Sequence, residues 1–120
     1  MPNGKICYLE IPATDPESSS RFYSQVFGWQ IRHHGDGAPA FDDATGYVSG
    51  MWVTGRPPSR EAGLVTSIMV DSIEDTFKKI TAAGGKVAKP FTPISPNGDA
   101  YAWFFDPAGN LLGLYQESSR

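Results

Sequence analysis

The chain has 120 residues, is 40% hydrophobic and 19% charged, and carries a formal net charge of -3. This length suits one domain, 1–120, with a core that needs no disulfide or metal staple. Scattered Lys and Arg residues on an acidic chain exclude the basic footprint of a nucleic-acid binder, and no run approaches the roughly 18 apolar residues of a membrane span.

The amino terminus leads into a strand-like run without the apolar core of a signal peptide. The single cysteine, Cys7, cannot pair within the chain. Both features predict a cytoplasmic protein, with Cys7 inert at a buried strand position.

Lys5 to Ile11 alternates as a strand, with Ile6, Tyr8 and Glu10 on one face and Cys7, Leu9 and Ile11 on the cleaner apolar face. Asp15 is placed to cap a helix that starts with Pro16 and Glu17, and Phe22, Tyr23, Val26 and Phe27 then recur at helical spacing up to Gly28. Trp29 to His34, Ala40 to Asp43 and Tyr47 to Thr54 read as three further strands. The polar, proline-rich segment 55–62 reads as a linker between a first module at about 4–54 and a second at about 63–117.

The order then recurs. Leu64 to Val70 is a predicted strand, Asp71 a predicted cap, and Ile73, Phe77, Ile80 and Ala83 lie on a helix stopped by Gly84-Gly85. Lys86 to Phe91, Tyr101 to Phe105 and Leu111 to Gln116 complete the set, with Asp106-Pro107-Ala108-Gly109-Asn110 as a tight turn before the last strand. The predicted class is α+β, with two βαβββ modules of curved mixed sheets. Each module packs its helix on one sheet face, and the two open faces are expected to enclose a ligand-binding cleft.

The opening strand with Asp15, the segment Arg21-Phe22-Tyr23-Ser24-Gln25-Val26-Phe27-Gly28-Trp29, the second module's strand with Asp71, the helix end Ala82-Ala83-Gly84-Gly85-Lys86-Val87 and the turn Asp106-Pro107-Ala108-Gly109-Asn110 carry a resemblance. In this order they resemble the vicinal oxygen chelate superfamily, which includes glyoxalase I, bleomycin-resistance proteins and extradiol dioxygenases. The resemblance implies paired βαβββ modules and, commonly, a homodimer. It also implies a divalent metal held by His, Gln or Glu on the first and last strand of each module. The corresponding positions here are Tyr8, Val65, Gly113 and either Gly50 or Met51, and among them only an ionised Tyr8 could serve as a ligand.

No metal or other cofactor is therefore predicted at the usual site. The expected function is binding of a small organic molecule in the cleft. An enzyme of the same superfamily, with a displaced divalent metal or with Glu10 and Tyr8 in metal-free acid/base chemistry, is the alternative. A dimeric interaction module is a third reading.

The predicted pocket comprises Tyr8, Glu10, Met51, Val65, Ser67, Met69, Leu111, Gly113 and Tyr115. Tyr101, Trp103 and Phe105 share one face of their strand, opposite Ala102 and Phe104. Core packing is the default reading for these aromatics, with a stacking wall formed together with Met51 and Trp52 as the alternative, and alternation alone does not say which set faces the cleft. His33 and His34 point to opposite faces of a strand and cannot chelate one ion together; a solvated strand end is expected for them.

Overall fold

The computed structural model describes residues 3–33, 35, 37–96 and 98–118. Its elements are β1 (Tyr8–Pro12), α1 (Pro16–Phe27), β2 (Gln30–His33), β3 (Pro39–Asp42), β4 (Ser49–Val53), β5 (Ser67–Met69), α2 (Ile73–Ala82), β6 (Lys86–Pro93), β7 (Ala100–Phe105) and β8 (Leu111–Gln116). The α+β class and the repeated βαβββ order are as expected. The chain divides into two compact units, Met1–Pro57 and Pro58–Arg120. Each unit holds a mixed four-stranded sheet, ordered β1-β4-β3-β2 in the first and β5-β8-β7-β6 in the second.

In the first unit the Asp15 side chain accepts the Ser18 N–H, Pro16 and Glu17 occupy the first turn of α1, and Gly28 closes the helix at φ 73°. Such a left-handed closing residue favours glycine, which has no Cβ to clash. The buried side of α1 brings Tyr23 against Trp29 at 4.7 Å between ring centroids, and Trp29 stacks on Phe41 at 4.4 Å. Trp52 packs on Phe41 at 4.9 Å. Offset aromatic stacks of this kind add about 0.5–1.5 kcal/mol per pair beyond the burial of their surface.

Gly50 is required by this packing. A β-carbon there would lie 2.5 Å from the Phe41 ring and would also collide with the Leu9 carbonyl. Between β3 and β4, Asp43 holds the hairpin by accepting the Thr45 hydroxyl at 2.7 Å and the Gly46 N–H at 2.9 Å, with the Tyr47 and Val48 N–H groups at 3.2 and 3.4 Å.

The first strand begins at Tyr8 rather than Lys5, because parallel pairing with β4 starts at Tyr8 opposite Ser49. Cys7 precedes the first paired residue and is exposed, which overturns the buried position expected for it. Its carbonyl still accepts the Ser49 N–H, while its side chain stands clear of the core formed by Ile11, Phe41 and Trp52.

In the second unit the cap of α2 is Ser72, not Asp71. The Ser72 hydroxyl accepts the Asp75 N–H at 3.1 Å, and the first helical N–H, of Ile73, is bonded at 2.7 Å to the side-chain oxygen of Gln116 at the end of β8. Serine caps as well as aspartate, and the long-range bond from Gln116 fixes the start one residue later. Ile73, Ile80, Ala102, Phe104, Leu112 and Leu114 form the buried layer between α2 and its sheet.

The closing turn is held by a set of side-chain hydrogen bonds. The Asp106 carboxylate accepts the Ala108 and Asn110 N–H groups and the Asn110 side-chain amide at 2.9–3.0 Å, while the Asn110 side-chain oxygen Oδ1 accepts the Ser59 N–H at 2.9 Å. The Ser59 carbonyl in turn accepts the Leu111 N–H at 2.6 Å, so the middle of the predicted linker is stitched to the last strand.

Candidate functional site

In each unit the helix covers one sheet face and leaves the other without a helix. Register decides which residues share the open faces. In the first sheet Tyr8 lies opposite Ser49, Glu10 opposite Met51, and Ala40 and Asp42 opposite Met51 and Ser49. Their strand neighbours Ile11, Phe41, Gly50 and Trp52 are buried on the helix side. Tyr8, Glu10 and Met51 therefore share the open face, and Met51 rather than Gly50 is the residue that faces it.

That face is already rich in internal pairing. Glu10 meets Arg56 at 2.7 Å, so its carboxylate has a cationic partner. Arg32 forms a two-pronged bond to Asp42 at 2.9 and 3.0 Å, and the Ser49 hydroxyl donates to Asp42 at 2.6 Å. These hydrogen bonds, that from Arg32 foremost, hold the Asp42 carboxyl below the usual carboxylate range. Trp52 lies within the helix-side core at 2% exposure, so it takes the core-packing role and cannot join a stacking wall. His33 turns to the helix side, where its Nε2 lies 3.4 Å from Glu17. His34 lies outside the described residues.

The open face of the second sheet is aromatic. One row across β5, β8, β7 and β6 runs Ser67, Gly113, Trp103, Lys89, and the next runs Met69, Tyr115, Tyr101, Thr92. Ala100, Ala102 and Phe104 are fully buried on the opposite side, which settles that Tyr101, Trp103 and Phe105 belong to the open face. Val65 precedes β5, and one of its methyl carbons lies 3.3 Å from where a β-carbon of residue 113 would stand. Leu111 is buried at 7% exposure and Gly113 is buried as well, so these two offer less surface than the other predicted pocket residues.

Lys89 was not anticipated. Its ammonium lies 5.8 Å from the Tyr101 ring centroid and 5.7 Å from that of Trp103. At this range a cation is attracted by the ring quadrupole. Irregularities in β6 on both sides of Lys89 shift the register so that Lys89, and not Ala88, pairs with Trp103. Bulges re-aim side chains in this way, and Pro90 was the available signal, since proline inside a strand marks an edge or a bulge.

The positions that correspond to metal ligands in the resembling family do not make a donor set here. Tyr8 offers a phenol, Met51 a weak thioether and Val65 only methyl groups. At Gly113 the space for any side chain is filled by the Ser67 hydroxyl. Among the described residues, no three His, Cys, Asp or Glu side chains cluster to hold an ion. No described helix is long and apolar enough to cross a membrane.

Known proteins share this architecture. A glyoxylase-like domain-containing protein of Didymella fabae is 30% identical over 119 residues, covering 93% of each chain. A relative from Mycobacterium bovis is 26% identical over 117 residues, 91% of this chain but 44% of its own length, so the chain spans about half of that protein. Among solved structures, the genomically encoded fosfomycin resistance protein FosX of Listeria monocytogenes superposes with a TM-score of 0.78 at 18% identity, over 98% of this chain and 94% of its own. A FosX variant was solved with Mn(II) and 1S,2S-dihydroxypropylphosphonic acid. The family model described as Glyoxalase/Bleomycin resistance protein/Dioxygenase superfamily matches residues 5–114. With its repeated βαβββ order and a match over nearly its whole length, the chain belongs to the glyoxalase/bleomycin resistance protein/dioxygenase superfamily.

Proposed function

We propose that this protein binds a small, planar organic ligand carrying a negative charge, on the open face of the second sheet. The observation that carries this reading is Lys89 poised over both Tyr101 and Trp103. A planar ligand stacks on the two rings, and its anionic group meets the ammonium. Ser67, Met69 and Tyr115 supply a hydroxyl, a thioether and a phenol around it, with Val65, Leu111 and Gly113 as the floor. In the first unit, Tyr8, Glu10 and Met51 share the open face of their own sheet, where Glu10 is paired with Arg56.

Binding on this reading uses no metal, because the family's metal-ligand positions lack donors. The superfamily's habit of pairing supports a homodimer, and the absence of a disulfide-forming pair fits the cytoplasm. Sedimentation tests the first of these: a monomer across micromolar concentrations rejects the dimer.

A thermal-shift screen of aromatic carboxylates, with salicylate and 1-naphthoate as the first probes, tests the ligand class. At a hundredfold excess over Kd, mass action stabilises a protein by about 2.7 kcal/mol, a rise in Tm of roughly 10 °C at this size. Trp103→Ala is expected to abolish that rise while leaving the fold intact. A screen without any specific shift, or shifts that survive Trp103→Ala unchanged, overturns the reading.

A further inference from the structure

A separate groove of about 400 Å³ lies where the closing turn meets the start of β6. Arg60 and Lys86 line it from opposite elements, Phe105 and Pro107 supply its apolar surface, and the Ala108-Gly109 backbone forms one wall. Phe105 belongs to the same open sheet face as Tyr101 and Trp103, but the groove contains none of Lys89, Tyr101 and Trp103, and its proposed ligand contacts do not depend on the function proposed above.

Three features give the groove a chemical preference. Among the described residues neither Arg60 nor Lys86 forms an ion pair, although the first unit's Arg32 and Arg56 both do. Asp106 also lines the groove, but its carboxylate is turned onto Ala108 and Asn110 and is buried at 3% exposure. Two cations against that one carboxylate leave the groove with a net positive charge. Gly109, at φ 94°, takes the left-handed conformation that the turn needs, and the Arg60 guanidinium lies over it, with Nη2 and Cζ 3.6–3.7 Å from where a β-carbon would stand, which is ordinary van der Waals contact. The Arg60 backbone is steadied by its neighbour Ser59, which is bonded to both Asn110 and Leu111.

We propose that this groove binds a small organic acid. Its phosphonate, phosphate or carboxylate group sits between Arg60 and Lys86, and its apolar body rests on Phe105 and Pro107. A guanidinium presents paired donors suited to such oxyanions, and lysine adds a point charge.

The test is a titration of the uniformly ¹⁵N-labelled full chain followed by amide NMR, with phenylphosphonate, inorganic phosphate and neutral benzyl alcohol as the three probes. Saturable shifts centred on Lys86, Phe105, Ala108 and Gly109 are expected for phenylphosphonate, weaker ones for phosphate, and none that saturate for benzyl alcohol. The Arg60→Gln/Lys86→Gln double variant is expected to weaken phenylphosphonate about a hundredfold, because both charge-assisted contacts are lost and each is worth roughly tenfold. Lys86→Gln alone, a change at an exposed position, is expected to give an intermediate loss with the rest of the spectrum unmoved. Shifts that never saturate, that spread over surface lysines generally, or that persist unaltered in both variants overturn the proposal.

Discussion

Ser67 and Gly113 face each other across the parallel pair β5 and β8, and the Ser67 hydroxyl fills the volume that a β-carbon at position 113 would need. Gly113 is therefore not a vacancy on the open face but one half of a fitted pair. Gly113→Ala is expected to destabilise the fold by about 1–3 kcal/mol through overpacking. Removing the hydroxyl and Cβ together in Ser67→Gly/Gly113→Ala is expected to recover most of that loss. Chemical denaturation of the two variants measures it, and equal losses in both would show that the Ser67 contact is not the cause.

Asp106 ties the closing turn together with three hydrogen bonds and is almost fully buried. Asp106→Ala strands two backbone N–H groups and the Asn110 amide, and a loss of about 2–4 kcal/mol is expected in urea unfolding. A loss below about 0.5 kcal/mol, typical of a plain surface change, would contradict the structural role given to this carboxylate.

Acid sensitivity follows from Asp43. Burial by itself would raise its carboxyl, but the hydrogen bonds from the Thr45 hydroxyl and the Val48, Gly46 and Tyr47 N–H groups outweigh it, so its pKa lies below the usual value. A depressed folded pKa contributes stability that is fully present above the unfolded value, about 3.9, and is lost as pH falls through the folded one. Asp43→Ala is expected to lower stability at pH 7 and to flatten the decline below about pH 4. Parallel pH profiles for the two proteins would remove Asp43 as a source of the acid response.

Much of the fold was legible because its signals are local. Asp15, Pro16 and Gly28 specify both ends of α1 through capping and backbone freedom, and the turn Asp106 to Asn110 announces β8 to the residue. Signals that depend on distant partners were misread. Asp71 looked the better cap until Gln116, 43 residues away, is seen to hold the Ile73 N–H. Cys7 continued an apolar alternation, yet pairing begins only at Tyr8. On the site, alternation within each strand grouped Tyr8 with Glu10, Val65 with Ser67 and Met69, and Gly113 with Leu111 and Tyr115, while only the resemblance brought these groups together and left the fourth position at Gly50 or Met51. Alternation could not orient Tyr101 and Trp103, and it missed Lys89, whose direction is decided by bulges in β6.

Metal content is a further check on the proposed function. Protein purified without a metal-affinity tag is expected to carry well under one equivalent of nickel, zinc, iron or manganese by elemental analysis. One equivalent of any of these, lost on mutation of Glu10 or His33, would establish a displaced metal site.

The central claim is that Trp103 and Lys89 form the ligand-binding wall, and tryptophan fluorescence addresses it directly. Of the three tryptophans, Trp29 and Trp52 are buried at 6% and 2% exposure, whereas Trp103 lies partly open. Titration with 1-naphthoate, with excitation and emission corrected for absorbance, is expected to quench the Trp103 contribution to a saturable limit. Lys89→Gln is expected to weaken the apparent Kd about fivefold or more, in keeping with about 1 kcal/mol for a cation lost beside an anionic group. Quenching that is equal in Trp103→Phe, or an affinity unchanged by Lys89→Gln, would contradict the account.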